Sequence, residues 1–315
     1  MMRRFGQLLF LLLAATSRAG EDTFQADCAA LTAAPHRLSG TAEYQAAADY
    51  LVKRLEALGA EVVVQEFASL QTEDECSIEV QADAPTPTLR PLFAMRPNGI
   101  VPPATPPEGI TGRILHVGAG GPNDFGERSP EGRIVVVDYN SGGAWLRAFR
   151  LGARAVVFVP NGRAEAWQCH YTMANANLPR FYYAGPRSDL PDGAAVRIRG
   201  RTPWRSAVGR NVLAFLRGTD AHFGQDAEEL VIVACSLDTF GEVPRLSPGA
   251  RGAANCAALL RLAEHLKSNR PRRHVLLAFL DNQARGHAGA AALYRLLDQA
   301  NDPTITLESR AKSLE

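Results

Sequence analysis

Tyr44, Ala47, Ala48, Leu51, Leu55 and Leu58 recur at helical spacing and lay one apolar stripe along a predicted helix. Ser39 or Thr41 can cap its start, and Gly59 is placed to end it. The β-branched run of Val62, Val63 and Val64 then predicts a strand, and CSIEVQA, from Cys76 to Ala82, a second. From Gly109 to about Trp204 short apolar runs alternate with Gly-rich turns. GRILHVG, GRIVVVDY, ARAVVFVP, PRFYYAG and AAVRIRG predict strands there, with a short helix around Ala144 to Leu151. From Gly209 the rhythm becomes strand, helix, strand, helix: GRNVLAFLRG, ELVIVACSLD, GARGAANCAALLRLAEHL, RRHVLLAFLDNQ, GHAGAAALYRLLDQA. VIVA and VLLAFL are nearly continuous apolar runs, which predicts strands covered by helices on both faces.

Proline divides the pattern. From Pro85 to Pro107 prolines come every few residues, and each fixes φ and removes a backbone donor. That stretch predicts an extended connector and a domain boundary. GAGG, Gly118 to Gly121, reads as a turn and not a phosphate loop, since Pro122 follows and no helical pattern does. The fold class expected is α/β, a three-layer sheet with helices on both faces, carrying an inserted β-rich unit. The boundaries drawn are 20–84 and 205–315 for the two segments of the α/β domain, 85–108 for the linker and 109–204 for the insert.

Composition narrows the function classes. Apolar residues make up 46% of the 315 and charged ones 21%, as in an ordinary globular protein. A net charge of +1 gives no electrostatic argument for nucleic acid or an anionic membrane. Residues 1–19 have the layout of a secretory signal peptide: Arg3 and Arg4, an apolar run from Leu8 to Ala15, then Ser17 and Ala19 at cleavage spacing. That run is too short to span a bilayer, and no later span is predicted. A secreted or periplasmic location follows as an expectation. The five cysteines, Cys28, Cys76, Cys169, Cys235 and Cys256, form no CxxC, and an odd count leaves one outside any set of intrachain pairs. Cys28 and Cys76 can staple the first segment. Cys235 and Cys256 sit in apolar surroundings, where a cysteine serves as a small hydrophobe.

Five motifs in order carry a family resemblance: APHRLSGTAEYQAAADYLVKRLEALGAEV, RNVLAFLRGTD, ELVIVACSLDT, SPGARGAANCAALLRLAEHL and RRHVLLAFLDNQARGHAGAAALY. The series resembles the co-catalytic zinc aminopeptidase family, which includes aminopeptidases, glutamate carboxypeptidase, the transferrin receptor and nicastrin. The insert resembles a protease-associated domain, best in EGRIVVVDYNSGGAWLRAFRLGARAVVFVPN followed by LPRFYYAG. The resemblance implies two zinc ions, a bridging carboxylate, a metal-bound water and a glutamate as general base.

The positions that should carry this chemistry differ. The zinc-binding His two residues before the motif Asp is Ser236, while the Asp survives as Asp238. The bridging Asp falls in PGARGAAN, where Arg251 and Gly252 stand, and the Glu pair is replaced by Asn282 and Gln283. An alcohol and a glycine do not replace an imidazole and a bridging carboxylate. Carboxamides carry no charge and do not act as bases. Beyond Gln283, Asp298 and Asp302 come too early for the family's further Asp, and His287 is the one histidine at hand. Fallback ligands are Asp238, Asp281, His287 and Cys256, although Asp281 stands one residue from the Glu pair and points the other way on an ideal strand. Cys169 and His170 in WQCHYT read as a packed thiol beside a loop residue. Asp238 reads as a loop-capping carboxylate.

The sequence therefore leads to an exported, non-catalytic relative of zinc exopeptidases, binding a peptide or protein partner, with no cofactor expected. The alternative is a working metallo-aminopeptidase or carboxypeptidase with a rearranged zinc site. A third reading, in which the insert binds and the α/β domain is its platform, is compatible with the first.

Overall fold

The structure is a computed structural model that describes residues 23–81, 86–95, 104–139, 141–162, 179–220, 229–239, 241–283 and 286–301. Its elements in chain order are α1 (23–31), α2 (Ala42–Ala57), β1 (Glu61–Thr72), β2 (Glu75–Gln81), β3 (Thr88–Pro91), β4 (Phe93–Ala94), β5 (Ile110–His116), α3 (Pro122–Phe125), β6 (Ile134–Asp138), α4 (Ala144–Arg150), β7 (Ala155–Val159), β8 (Arg180–Tyr182), β9 (Ala195–Arg201), β10 (Trp204–Leu216), β11 (Leu230–Ser236), α5 (Ala250–Ser268), β12 (His274–Leu280) and α6 (Ala288–Asn301). They divide into two compact units, the first drawn from Met1–Leu70, Ser206–Thr239 and Pro248–Glu315, the second from Gln71–Arg205 and Phe240–Ser247. No helix among the described residues is long and apolar enough to cross a membrane.

The first unit is a four-stranded sheet in the order β1-β10-β12-β11. β10 runs antiparallel to β12 and β11 runs parallel to it. The helical stripe does what its spacing predicts. Leu51 and Leu55 of α2 join Leu260 of α5 over Val212, Ala214, Val275, Leu277 and Phe279 on one face of the sheet. Leu293 of α6 meets Leu213, Leu276 and Ala278 on the other. The result is three layers, helix, sheet, helix. Thr41 caps α2 by accepting a hydrogen bond from the Tyr44 N–H, and Gly59 ends the turn at a φ of 77°, a left-handed value that glycine takes without strain.

Covering on both faces holds for β12, whose central residues are all buried, and fails for β11. Leu230, Val231 and Ile232 are exposed. β11 has one strand neighbour in the described sheet, and the apolar side chains of α6 lie over β10 and β12 instead. An apolar run measures the hydrophobicity of a strand but not its place in the sheet order.

The second unit holds an eight-stranded sheet in the order β3-β2-β9-β5-β6-β7-β8-β4. Its apolar residues alternate between two faces. Ile114, Ile134, Val136 and Val157 build one core, while Leu115, Val135, Val137 and Phe158 build the other beneath Trp145 of α4. Arg180 lies over the Trp145 ring, 4.4 Å from its centroid. The five strands read from 109–204 are β5 to β9. The sequence boundary is too late, however, because β2 pairs with β9 from Glu75 opposite Arg201 to Gln81 opposite Ala195 and so belongs to this unit. The proline-rich stretch also supplies β3 and β4, and these are the two edges of the sheet. Edge strands are where a ladder tolerates residues without an N–H, as with Pro91 opposite Ser77. After GAGG one short helical turn, α3, begins at Pro122, where the missing donor costs nothing.

Candidate functional site

Strand ends in the first unit gather the positions singled out above. β11 closes at Ser236 and β12 at Leu280, side by side in register. Asp238 follows β11 and is buried, with Thr239 behind it. Asp281 and Asn282 follow β12 and are buried as well, whereas Gln283 and His287 are exposed. Gly252 lies in the first turn of α5, where an added Cβ would stand 3.5 Å from the Ser236 carbonyl oxygen and 3.8 Å from that of Asp238. The fold thus brings Ser236, Asp238 and Gly252 together. Cys169, His170 and Asp302 lie outside the described residues, as do residues 1–19.

Asp281 is held by its surroundings. Its Oδ2 accepts from the Ser39 hydroxyl at 2.8 Å and from the Arg210 N–H at 2.9 Å, and its Oδ1 accepts from the Asn282 N–H at 2.6 Å. Its own N–H donates to Asn211 Oδ1 at 2.9 Å. The Asn211 amide in turn donates to Gln65 at 2.9 Å and to the Gly289 carbonyl at 2.8 Å. Burial pushes the Asp281 pKa up to about 6, against the three hydrogen bonds that favour its charge. Asn282 takes a left-handed φ of 63°, which asparagine tolerates better than most residues, and its amide donates to the Ser69 hydroxyl. His287 is left-handed too, at 58°.

A second buried group organises the loop after β11. The Arg37 side chain is fully buried and donates to four backbone carbonyls: Leu31, Leu237 at 2.9 Å, Pro248 at 2.5 Å and Gly249 at 3.1 Å. The Arg37 backbone adds two bonds, donating to Thr239 Oγ1 at 2.9 Å and accepting from the Thr239 N–H at 3.1 Å. Burial lowers the Arg37 pKa, and the nearby Cys256 and Asp238 groups act in the opposite direction. Tyr44, buried beside the same groups, donates to the Arg210 carbonyl at 2.6 Å, and burial followed by the charges of Asp281 and Asp238 drives its phenol well above the usual range. Sequence reasoning did not single out Arg37, Arg210 or Asn211, and it read Ser39 only as a candidate cap of α2, whereas its hydroxyl binds Asp281. Arg37 and Ser39 stand in APHRLSG ahead of the helical stripe, and polar side chains before a cap read as loop until the fold buries them.

No protein-family model matches the sequence, and no curated protein matches it. Solved structures do. BSAP, a zinc aminopeptidase from Bacillus subtilis, is similar over 92% of this chain and 66% of its own, at 16% identity and a TM-score of 0.60. The fold is zinc exopeptidase-like. A peptidase M28 precursor from Shewanella amazonensis SB2B agrees, with a TM-score of 0.52 at 17% identity over 89% of this chain and 70% of that one. The chain spans about two thirds of the length of each. Among the described residues no three His, Cys, Asp or Glu side chains form a group able to hold a metal ion.

Proposed function

We propose that the chain is an exported, non-catalytic relative of zinc exopeptidases that binds a peptide or protein partner. The observation that carries this reading is the state of Asp281. It is the acid nearest the Glu-pair position, and both its oxygens already accept hydrogen bonds, Oδ2 from Ser39 and Arg210 and Oδ1 from Asn282. The other positions offer the alcohol of Ser236, no side chain at Gly252 and the carboxamides of Asn282 and Gln283. That donor set does not fit a co-catalytic zinc pair, which needs imidazoles and carboxylates and a carboxylate base. The layout of residues 1–19 supports export, the balanced net charge argues against nucleic acid, and the β-rich second unit is read as a protease-associated-like binding module.

The alternative reading is a metallo-aminopeptidase or carboxypeptidase, favoured by the zinc aminopeptidase among the solved neighbours. Metal analysis separates the two. The purified protein without a His-tag, dialysed against trace zinc, is expected to hold far less than one zinc per chain. One or two tightly held ions would overturn the non-catalytic reading, and a panel of aminoacyl substrates would then be assayed.

A further inference from the structure

Two thiols that the proposed function does not use lie in contact. Cys235, the penultimate residue of β11, and Cys256, in the second turn of α5, place their sulfurs 3.5 Å apart. Cys256 also donates to the Ser236 carbonyl at 3.6 Å. Around them are the apolar side chains of the core beneath α5, including Leu237, Ala253 and Leu260. A disulfide needs its sulfurs at about 2.05 Å, so closing the bond requires an approach of roughly 1.5 Å, within reach of a change in side-chain rotation.

The geometry points to Cys235 and Cys256 as a site of oxidative cross-linking that ties β11 to α5. The co-reactant is a low-molecular-weight disulfide such as oxidised glutathione. A Cys235 or Cys256 thiolate attacks one sulfur of the reagent, forms a mixed disulfide and releases one thiol. The second cysteine then attacks the protein sulfur of that mixed disulfide and releases the other. Overall the two protein thiols lose two electrons and two protons, and one glutathione disulfide becomes two glutathione thiols. Cys256 is buried and Cys235 half-buried, so a reagent reaches neither sulfur freely in the closed structure. Exchange therefore proceeds slowly on the folded protein and faster when β11 and α5 open or while they fold.

The cross-link has a structural consequence. β11 has a ladder with β12 on one side and exposed residues at its start, so its hold on the unit rests on β12 and on the packing of α5. A bond between Cys235 and Cys256 closes a loop over the segment that carries Asp238, Gly249 and Gly252. Neither cysteine occupies a zinc-ligand position of the family resemblance, but Cys256 is a fallback ligand of the alternative reading, so the cross-link and a zinc site that used Cys256 would exclude each other.

The test uses the full chain, prepared reduced and incubated with oxidised glutathione under native conditions and during refolding. It is then acid-quenched, unfolded, alkylated and mapped by mass spectrometry. A peptide pair joined through Cys235 and Cys256, two hydrogens lighter than its reduced components, is expected after refolding. Alkylation of both cysteines, a stable glutathione adduct on each, or a link from Cys256 to Cys28 would overturn the assignment. A second readout is thermal unfolding. Oxidation is expected to raise the Tm of the wild-type protein by roughly 5 °C and to leave Cys235→Ala unmoved. An equal rise in Cys235→Ala would assign the effect to another cysteine.

Discussion

Arg37 and Asp281 are both buried ionisable residues, and they weigh on stability in opposite ways. Arg37 is a buried cation whose donors complete four backbone carbonyls, so its loss leaves acceptors without partners in the interior. Arg37→Ala is expected to destabilise the first unit by about 3–5 kcal/mol, read as a fall in the urea midpoint. Arg37→Lys should recover only part of this, because an ammonium does not span the same fork of carbonyls. Asp281 carries an electrostatic cost at neutral pH. Its folded pKa of about 6 lies above the reference value of 3.8, so the folded state binds the proton more tightly than the unfolded chain. The stability it contributes as a neutral acid is present in full below about pH 4 and is lost as pH rises through 6. The loss is on the order of 3 kcal/mol at most. Urea titrations at pH 4, 5, 6 and 7 should therefore slope downward in the wild type and less steeply in Asp281→Asn. Equal slopes would refute the raised pKa.

At the scale of elements, two close approaches fix where helices begin. Gly289 in the first turn of α6 lies so near β12 that an added Cβ would stand 2.3 Å from the Asp281 carbonyl oxygen and 2.5 Å from Asn211 Oδ1. Gly289→Ala must push α6 off the sheet or break the Asn211 hydrogen bonds. A cost of about 2–4 kcal/mol is expected, with faster hydrogen exchange in α6 as the specific sign. Gly249, ahead of α5, has a φ of 65°, and a Cβ there would meet the Thr239 methyl at 2.6 Å. The same tightness places Gly252 beside the end of β11. By contrast, the cap of α2 is local chemistry. Thr41→Ala should cost about 1 kcal/mol and leave the strand ends as they are.

For the whole molecule, charge sets behaviour in solution more than recognition. With a formal net charge of +1, repulsion between copies is weak at neutral pH. Light scattering should show association rising as pH approaches neutrality from either side, and falling when a few surface acids are replaced by lysine, which moves the net charge further from zero. Each unit owns its cores. Leu51, Leu260 and Phe279 belong to the first, and Ile134, Val157 and Phe158 to the second. Phe158→Ala is accordingly expected to cost about 3–5 kcal/mol in the second unit's unfolding transition.

Period and punctuation alone determined most of the elements: the stripe of α2, the five strands β5 to β9, and the alternation that ends with β12 and α6. These are legible because a helix or strand advertises its buried face in its own neighbourhood of sequence. The five ordered motifs also carried the resemblance that the zinc exopeptidase-like fold bears out. Tertiary structure alone decided that β2 joins the second unit, that β11 has one strand neighbour in the described sheet, and that β3, with Pro91, and β4 are the two outermost strands of the second. Strand order depends on partners far away in the chain, and hydrophobicity does not name them. The same holds at the site. Ser236, Asp238, Gly252 and Asn282 were found as positions in motifs. The hydrogen bonds that occupy Asp281, however, come from Ser39 and Arg210, 242 and 71 residues away. A carboxylate's neighbours fix what it can do, and only folding chooses them.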